Sequence, residues 1–449
     1  MKPMSAAADV LLKIFSELVE QGVDFALLGD EEPVPLDASS DIDLVFANDP
    51  RPIIDPILKQ MQDLGKILVV HRLHYEVPYG FYYVIKCADD PGELLHLDCL
   101  FDPWGLGRYH VTSTYLLQGK KPESWGYRAN DQRNALYLLV KRAIKGAMTV
   151  DKRRTLERAI SNNPSEFWPD VDRWFGASGR RLVDRLLAAR ETSEYAVELT
   201  GLRQALERRF FYRHPLRYLA GRILSLLRQL CRAWQPTGLF VVILGPDGSG
   251  KSTVSDLILR DLERAFRRAW RFHWRPGLFR KLGRTADRRA EGTDTPAETS
   301  KYRGFVSLAR FIYYWLDFVI GYWVVIYPVM ARTGLVIGER YFPDVLVAPE
   351  RYGFAVPRWL MRSVAWFVPR PDLIVLLKDD PDVIHARKPE LSPARIGELM
   401  DAYEMELKHW GNARILTTEG GAAVVAARLA AIILEERAAK TARQIGWTP

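Results

Sequence analysis

The sequence predicts an α/β protein in which a parallel sheet covered by helices on both faces follows a smaller α+β domain. In residues 237–440, short apolar runs alternate with helical patterns, as they do in parallel sheets with crossover helices. The first of those runs ends in a glycine-rich turn, GPDGSGKST, which begins at Gly245. Within the first 150 residues, alternating polar and apolar positions indicate half-buried strands beside an amphipathic helix.

A chain of 449 residues exceeds a single ordinary core, so several domains are expected. We divide it into an N-terminal α+β domain (1–150), a helical connector (151–236) and the parallel α/β domain (237–449). The hydrophobic content of 48% and the charged content of 26% are typical of a folded, soluble protein. Three cysteines without metal-ligand spacing, and no secretory pattern in residues 1–20, predict a cytoplasmic location.

The net charge of +8, from 63 basic and 55 acidic residues, favours anionic partners. Nucleotides, nucleic acid and an acidic membrane surface all fit this charge. No nucleic-acid recognition motif accompanies it, so we do not expect a nucleic-acid partner.

The N-terminal domain carries three carboxylates on alternating segments. A predicted helix (7–20) and strand (23–28) lead to Gly29, and the following alternation places Asp41 and Asp43 on one face of a strand. Asp98 lies in a second alternating segment. Three carboxylates on neighbouring strands suit Mg²⁺, so these residues are candidate metal ligands.

Residues 214–234 form a basic amphipathic helical pattern, because four arginines interrupt an apolar face: Arg217, Arg222, Arg228 and Arg232. Such a helix fits the surface of an anionic membrane. A connecting helix packed between domains is the alternative, and we favour it.

The glycine-rich turn follows the apolar run Leu239–Leu244 and precedes a helical pattern, which is the setting of a phosphate-binding loop. Its backbone amide groups would surround phosphate oxygens at a helix N-terminus. Lys251 would bridge the β- and γ-phosphates of ATP, and Ser252 would bind Mg²⁺. The candidate ATP-binding residues of this loop are Gly245, Asp247, Gly248, Ser249, Gly250, Lys251, Ser252 and Thr253.

Later strands should bring further charged residues to the same edge of the sheet. One predicted strand (334–338) ends in Glu339 and Arg340, and a predicted strand at 270–274 runs into Arg275. Ligands bind beyond the carboxyl ends of parallel strands, where these side chains would gather with the loop. The apolar stretch 311–330 has the length of a bilayer span, but we expect a buried helix because it contains Asp317 and Pro328.

Two family resemblances follow from these motifs. Gly29 followed by Asp41, Asp43 and Asp98 resembles the polymerase-β-like nucleotidyltransferases, although Asp30 replaces the small residue that this superfamily has after the glycine. Residues 237–440 resemble thymidylate kinase. The matching segments are GPDGSGKST, the turn at Arg275, Glu339-Arg340-Tyr341, and PDLIVLL followed by DDPDVIHARK.

The thymidylate kinase resemblance implies specific roles. Asp247, Arg275 and Tyr341 would lie at the phosphoryl acceptor, Glu339 would support Mg²⁺, and Arg340 would contact the transferring phosphoryl group. Arg387, Lys388 and Arg395 would belong to a basic lid over ATP.

The segment 342–352 lacks the serine and glutamine that thymidylate kinases have after the Asp-Arg-Tyr motif. The whole layout is also similar to thymidylate-kinase-like proteins of bacterial surface-polysaccharide synthesis, which would imply a sugar or glycan acceptor.

These observations predict an ATP- and Mg²⁺-dependent phosphotransferase of the thymidylate or nucleoside-monophosphate kinase type, acting on a nucleotide. A sugar or glycan kinase is one alternative, and a nucleotide-binding regulatory module without turnover is another. Peripheral membrane contact and a homodimer stay open.

Overall fold

The computed structural model describes residues 6–29, 41–74, 80–88, 93–189, 191–280 and 304–447, except for the Thr192 side chain. The chain divides into two compact units, residues 1–231 and 232–449. The helices that we assigned to a separate connector share a hydrophobic core with the N-terminal sheet, from Leu28 in that sheet to Leu206. Apolar faces on these helices are buried against the sheet domain, so most of the segment belongs to the first unit.

In the described part of the first unit, seven strands form one mixed sheet in the order β3-β4-β5-β2-β1-β7-β6. The strands are β1 (Phe25–Leu28), β2 (Ile42–Phe46), β3 (Ile67–Leu73), β4 (Phe81–Cys87), β5 (Leu94–Leu100), β6 (Lys121–Glu123) and β7 (Gly126–Arg128). Strands β2 and β5 run parallel, whereas β1 and β2 are antiparallel. All five residues of β2 are buried, so the sheet has protein on both faces there.

Helices complete the first unit. They are α1 (Ala6–Glu20), α2 (Arg51–Asp63), α3 (Ser113–Leu117), α4 (Asp131–Lys145), α5 (Val150–Asn162), α6 (Pro164–Phe175), α7 (Gly179–Ala188), α8 (Thr192–Arg213) and α9 (Pro215–Trp234), which runs into the second unit. The Asn130 side chain caps the N-terminus of α4, and Gly146 ends that helix in the left-handed conformation.

The described strands of the second unit form a parallel sheet in the order β12-β11-β8-β10-β9. They are β8 (Leu239–Leu244), β9 (Arg268–His273), β10 (Gly334–Glu339), β11 (Leu373–Lys378) and β12 (Ala413–Thr417). Every residue of β8 is buried, and only Phe240, Val242 and Leu244 belong to the main core cluster, so both faces of β8 are covered. The predicted parallel sheet flanked by helices is confirmed.

The helices of the second unit are α10 (Lys251–Asp261), α11 (Phe305–Gly321), α12 (Tyr327–Met330), α13 (Phe342–Val347), α14 (Arg358–Ala365), α15 (Pro381–Arg387), α16 (Pro393–Leu407) and α17 (Ala422–Ile445). A π-helical turn (Tyr322–Ile326) joins α11 to α12. Among the described residues, only Phe305–Met330 is long and apolar enough to cross a bilayer. It buries one face, including Phe311 and Phe318, in the core of the unit, and exposes Phe305 and Trp323 on the other.

Candidate functional site

The turn after β8 has the backbone of an anion-binding loop. Gly245, Gly248 and Gly250 have φ values of 145°, 89° and 84°, which favour glycine. A Cβ atom at Gly248 would lie 3.0 Å from the Lys388 Cβ, so the loop also needs glycine for its close approach to the end of α15. Helix α10 begins directly after this loop, and its N-terminal amide groups and dipole favour a phosphate there.

Lys251 folds over this loop. Its side chain is buried, and its Nζ donates hydrogen bonds to the carbonyl oxygens of Gly245 at 2.9 Å and Pro246 at 2.7 Å. Burial, followed by the nearby charge of Arg340, lowers the pKa of Lys251 to about 8. The ammonium is thus held at the loop by two carbonyl oxygens, which a phosphate would replace with oppositely charged acceptors.

Ser252 and Glu339 form the corner of the site that fits Mg²⁺. Glu339 pairs in register with Ile243, so β10 ends beside the phosphate loop. The Ser252 hydroxyl donates to Glu339 Oε2 at 2.9 Å, while Oε1 is buried, accepts no hydrogen bond and lies 3.3 Å from Arg271 Nη1. Burial raises the Glu339 pKa, but hydrogen bonds from His273 and Ser252 outweigh it and leave the pKa lowered. An ionised carboxylate beside a hydroxyl is a donor set that suits Mg²⁺, so the residues fit the predicted ion.

Arg340 and Asp247 meet across the site. The Arg340 guanidinium donates to Asp247 Oδ1, and Arg351 lies 3.3 Å from Asp247 Oδ2. Burial raises the Asp247 pKa, but the charges of Arg340 and Arg351 hold it below its usual range. Arg340 has a φ of 65°, an uncommon conformation for a residue with a side chain, while its backbone N–H donates to Ile243 O at 3.0 Å. An uncommon backbone conformation of this kind often occurs at functional sites.

The sequence analysis did not identify Asp344, a buried residue next to this pair. Asp344 is completely buried and accepts hydrogen bonds from the hydroxyls of Tyr352 and Tyr403. Arg351 Nη1 lies 3.7 Å from Asp344 Oδ2 and therefore links Asp344 to Asp247. The sequence signal was an acidic residue in the otherwise apolar helix Phe342–Val347.

Arg275 and Tyr341, the other predicted acceptor residues, are engaged in the protein interior. Arg275 Nη1 donates to Asp317 Oδ2 at 2.5 Å and to Phe279 O at 2.8 Å. Tyr341 is completely buried, and its hydroxyl donates to Pro369 O at 3.1 Å. Neither side chain is presented to an acceptor in this arrangement.

The predicted lid residues are about half exposed. Arg387 pairs with Asp379 at 2.9 Å, and Arg395 pairs with Glu398 at 2.7 Å and with Glu350 at 3.5 Å. Lys388 lies next to the phosphate loop, with its Cβ close to the backbone of Gly248. Of the remaining loop residues, Ser249 is buried and Thr253 is exposed.

In the first unit, the three carboxylates predicted to bind a metal all lie near Lys141. Asp43 and Asp98 are register neighbours on β2 and β5, but the Lys141 ammonium contacts Asp43 Oδ2 in a buried ion pair. Asp41 is half exposed and lies 3.3 Å from the Tyr82 hydroxyl. Within the described residues, no three His, Cys, Asp or Glu side chains are arranged to hold a metal ion. The Lys141 ammonium, on α4, supplies positive charge beside these carboxylates, where the sequence analysis expects a metal ion.

Gly29, which directly follows β1, is held by α4. The Gly29 N–H donates to the Asn134 side-chain oxygen at 2.8 Å, and the Asn134 amide donates back to Gly29 O. Asp30, which departs from the nucleotidyltransferase pattern, lies outside the described residues.

Comparisons with known proteins find likenesses among solved structures. No protein-family model and no curated protein matches the chain. A thymidylate kinase from Ehrlichia chaffeensis is similar over 44% of this chain and 99% of its own, with 18% identity and a TM-score of 0.31.

Proposed function

We propose that the second unit is an ATP- and Mg²⁺-dependent phosphotransferase. The observation that carries the proposal is the contact between Ser252 and Glu339 at 2.9 Å, directly beside the loop over which Lys251 folds. A hydroxyl and a carboxylate for a metal, a lysine and a helix N-terminus are the parts that phosphoryl transfer from a nucleoside triphosphate requires. A glycine-rich turn with a purely structural role would not need all of them together.

Each of these residues has a distinct part in the proposed reaction. The loop amide groups and Lys251 would bind the phosphates, and Ser252 with Glu339 would hold Mg²⁺, which neutralises charge on the phosphate oxygens. Asp247 stays ionised because its pKa is held low, so it would accept a hydrogen bond from a hydroxyl of the acceptor sugar. Arg340 would then stabilise the charge of the transferring group.

The acceptor is proposed to be a nucleoside monophosphate or an uncharged sugar or glycan, and the ion pairs favour the second class. Three arginines near the motif residues are each balanced by a buried or half-buried aspartate: Arg275 with Asp317, Arg340 with Asp247, and Arg351 with Asp344. These pairs leave no net positive charge for an acceptor phosphate. A hydroxyl-rich, neutral acceptor needs hydrogen-bond acceptors such as Asp247 instead.

The test is transfer of labelled γ-phosphate from ATP·Mg²⁺ to thymidine monophosphate, other nucleoside monophosphates and a panel of sugars and glycans. Transfer to any of them that Lys251→Ala abolishes supports the phosphotransferase. Labelling of sugars or glycans alone identifies the second acceptor class. ATP binding without a labelled acceptor would overturn the proposal and favour a regulatory nucleotide-binding module.

A further inference from the structure

Helix α9 packs against the first unit with its small and polar face. A Cβ atom at Gly221 would overlap the carbonyl oxygen of Leu106, so the helix backbone approaches the 105–110 loop very closely. Arg228 lies two turns further on the same face and is buried. Tyr218, at the N-terminal end, lies 6.2 Å from the His110 ring, centroid to centroid. These contacts fix which side of the helix faces the protein.

The opposite side of α9 is an exposed apolar stripe. Its large side chains are between 50% and 83% exposed and recur at helical spacing: Leu216, Leu219, Ile223, Leu226, Leu227, Leu230 and Trp234. A surface helix of a soluble domain normally buries such a stripe against the core. Helix α9 instead exposes its apolar side and packs with its small and polar side. Contiguous exposed apolar surface of this kind marks an interaction site.

The charges of α9 indicate what covers the stripe. The helix contains four arginines and neither Asp nor Glu. At about 100° per residue, the exposed Arg217 and Arg222 lie on the two sides of the stripe, where their long side chains can reach lipid headgroups while the apolar residues insert. A second copy of this chain would bring the same helix, with arginines and no carboxylate, into a symmetric contact, so the partner helix would offer no opposite charge to these arginines.

We propose that α9 is an interfacial helix that docks the protein on an anionic membrane surface, with the stripe in the acyl boundary and the arginines at the headgroups. Apolar insertion and attraction to anionic lipid are the two contributions that such helices combine. This inference does not depend on the proposed phosphotransferase activity, because α9 lies outside the phosphate-binding site.

The test is co-sedimentation of the full chain with vesicles of phosphatidylcholine alone and of phosphatidylcholine with about one-third phosphatidylglycerol. We expect binding to the anionic vesicles that weakens as salt is raised. The double variant Leu226→Glu and Leu230→Glu should lower the partition coefficient by at least about tenfold. Arg217→Gln with Arg222→Gln should lower it severalfold for anionic vesicles only. Val197→Glu, an exposed apolar position on α8 outside the stripe, is the matched control and should bind as the parent does.

Three results would overturn the proposal. One is the absence of vesicle binding by the parent protein, and another is binding that the Leu226 and Leu230 changes leave unaltered. The third is a dimer in sedimentation equilibrium that these changes dissolve without any vesicle binding, which would show that a second copy covers the stripe. Circular dichroism and the phosphoryl-transfer assay, run on the same variants, distinguish loss of docking from loss of fold.

Discussion

Asp317, in the middle of the bilayer-length helix, is the counter-ion of Arg275. Its Oδ2 accepts from Arg275 Nη1 at 2.5 Å, and the two carboxylate oxygens also accept from the backbone amides of Gly277 at 3.2 Å and Phe279 at 2.9 Å. A Cβ atom at Gly321, one turn along, would lie 2.8 Å from Pro276. The acidic residue therefore fixes the turn after β9 against the helix, which explains its place in an apolar segment.

Breaking this pair from one side should be costly. Asp317→Leu leaves the guanidinium of a residue that is 5% exposed without its counter-ion, so we expect a loss of about 3–5 kcal/mol of stability. The double variant Asp317→Leu with Arg275→Met should recover most of that loss, because no charge then stays buried. Urea unfolding followed by tryptophan fluorescence measures both. A double variant no more stable than Asp317→Leu would contradict the structural role of the pair.

Lys251 should matter for transfer but not for folding. Burial lowers its pKa from 10.5 to about 8, so the ammonium destabilises the ligand-free fold at neutral pH. This cost declines as pH rises above about 8 and is gone above 10.5. Lys251→Met should therefore reduce phosphoryl transfer by at least about a hundredfold without lowering the melting temperature. ATP affinity of the parent should fall above pH 8, where the ligand-free protein loses this proton. Lys408→Met, an exposed change in the same unit, is the control. A Lys251→Met variant that melts several degrees lower would refute this account.

Glu339 and Ser252 should set the requirement for Mg²⁺. Glu339→Gln removes the charge beside the hydroxyl, and Ser252→Ala removes the hydroxyl itself, so each should raise the Mg²⁺ concentration for half-maximal transfer by about tenfold or more. Titration of Mg²⁺ at saturating ATP measures the effect. Asp261→Asn, at an exposed acidic position at the end of α10, the helix that carries Ser252, should leave the Mg²⁺ midpoint unchanged. An unaltered midpoint in both site variants would remove these residues from the metal site.

The sequence predicted the parallel sheet because its signals are local. Apolar runs bounded by turns, and the glycines of the loop, depend on a few adjacent residues, and β8 and α10 form where those residues indicate. The approach of Glu339 to Ser252 could also be expected, since Glu339 ends β10 and Ser252 lies beyond the carboxyl end of the neighbouring parallel strand β8.

The partners of charged side chains could not be read from the sequence, since they join residues far apart in the chain. Asp317 is 42 positions from Arg275, and Lys141 is 98 positions from Asp43. Helical periodicity correctly gave an amphipathic α9, but not which face the protein covers. That face was decided by the contact of Gly221 with the Leu106 carbonyl.

His110 should make the stability of the first unit depend on pH. Its ring stacks on Phe210 with centroids 4.0 Å apart, and burial lowers its pKa from 6.5 to about 4. Between pH 6.5 and 4 the unfolded chain therefore binds a proton at His110 that the folded chain does not bind. The free energy of unfolding decreases as pH falls through this range, by up to about 3 kcal/mol. His110→Gln should flatten this dependence, whereas His409→Gln, a histidine of the second unit, should not. Equal slopes for the parent and His110→Gln would exclude this residue as the cause.

The pair of Lys141 and Asp43 decides whether the first unit needs a metal ion. Asp43 Oδ1 is buried without a hydrogen-bond partner, and the charges of Asp43 and Asp98 outweigh the effect of burial on Lys141, whose pKa is raised. Because that pKa lies above 10.5, the ammonium stays charged at neutral pH, and the stability that it contributes is lost only as pH rises beyond 10.5. Lys141→Met should then cost about 3–5 kcal/mol of stability, since it leaves a buried carboxylate uncompensated next to Asp98.

If the ammonium replaces a metal ion, Mg²⁺ or Mn²⁺ should raise the melting temperature of Lys141→Met but not that of the parent, and Lys141→Met with Asp43→Asn should lose this response. A parent protein that Mg²⁺ stabilises, with Asp43→Asn abolishing the effect, would instead restore the metal site that the carboxylate spacing predicts.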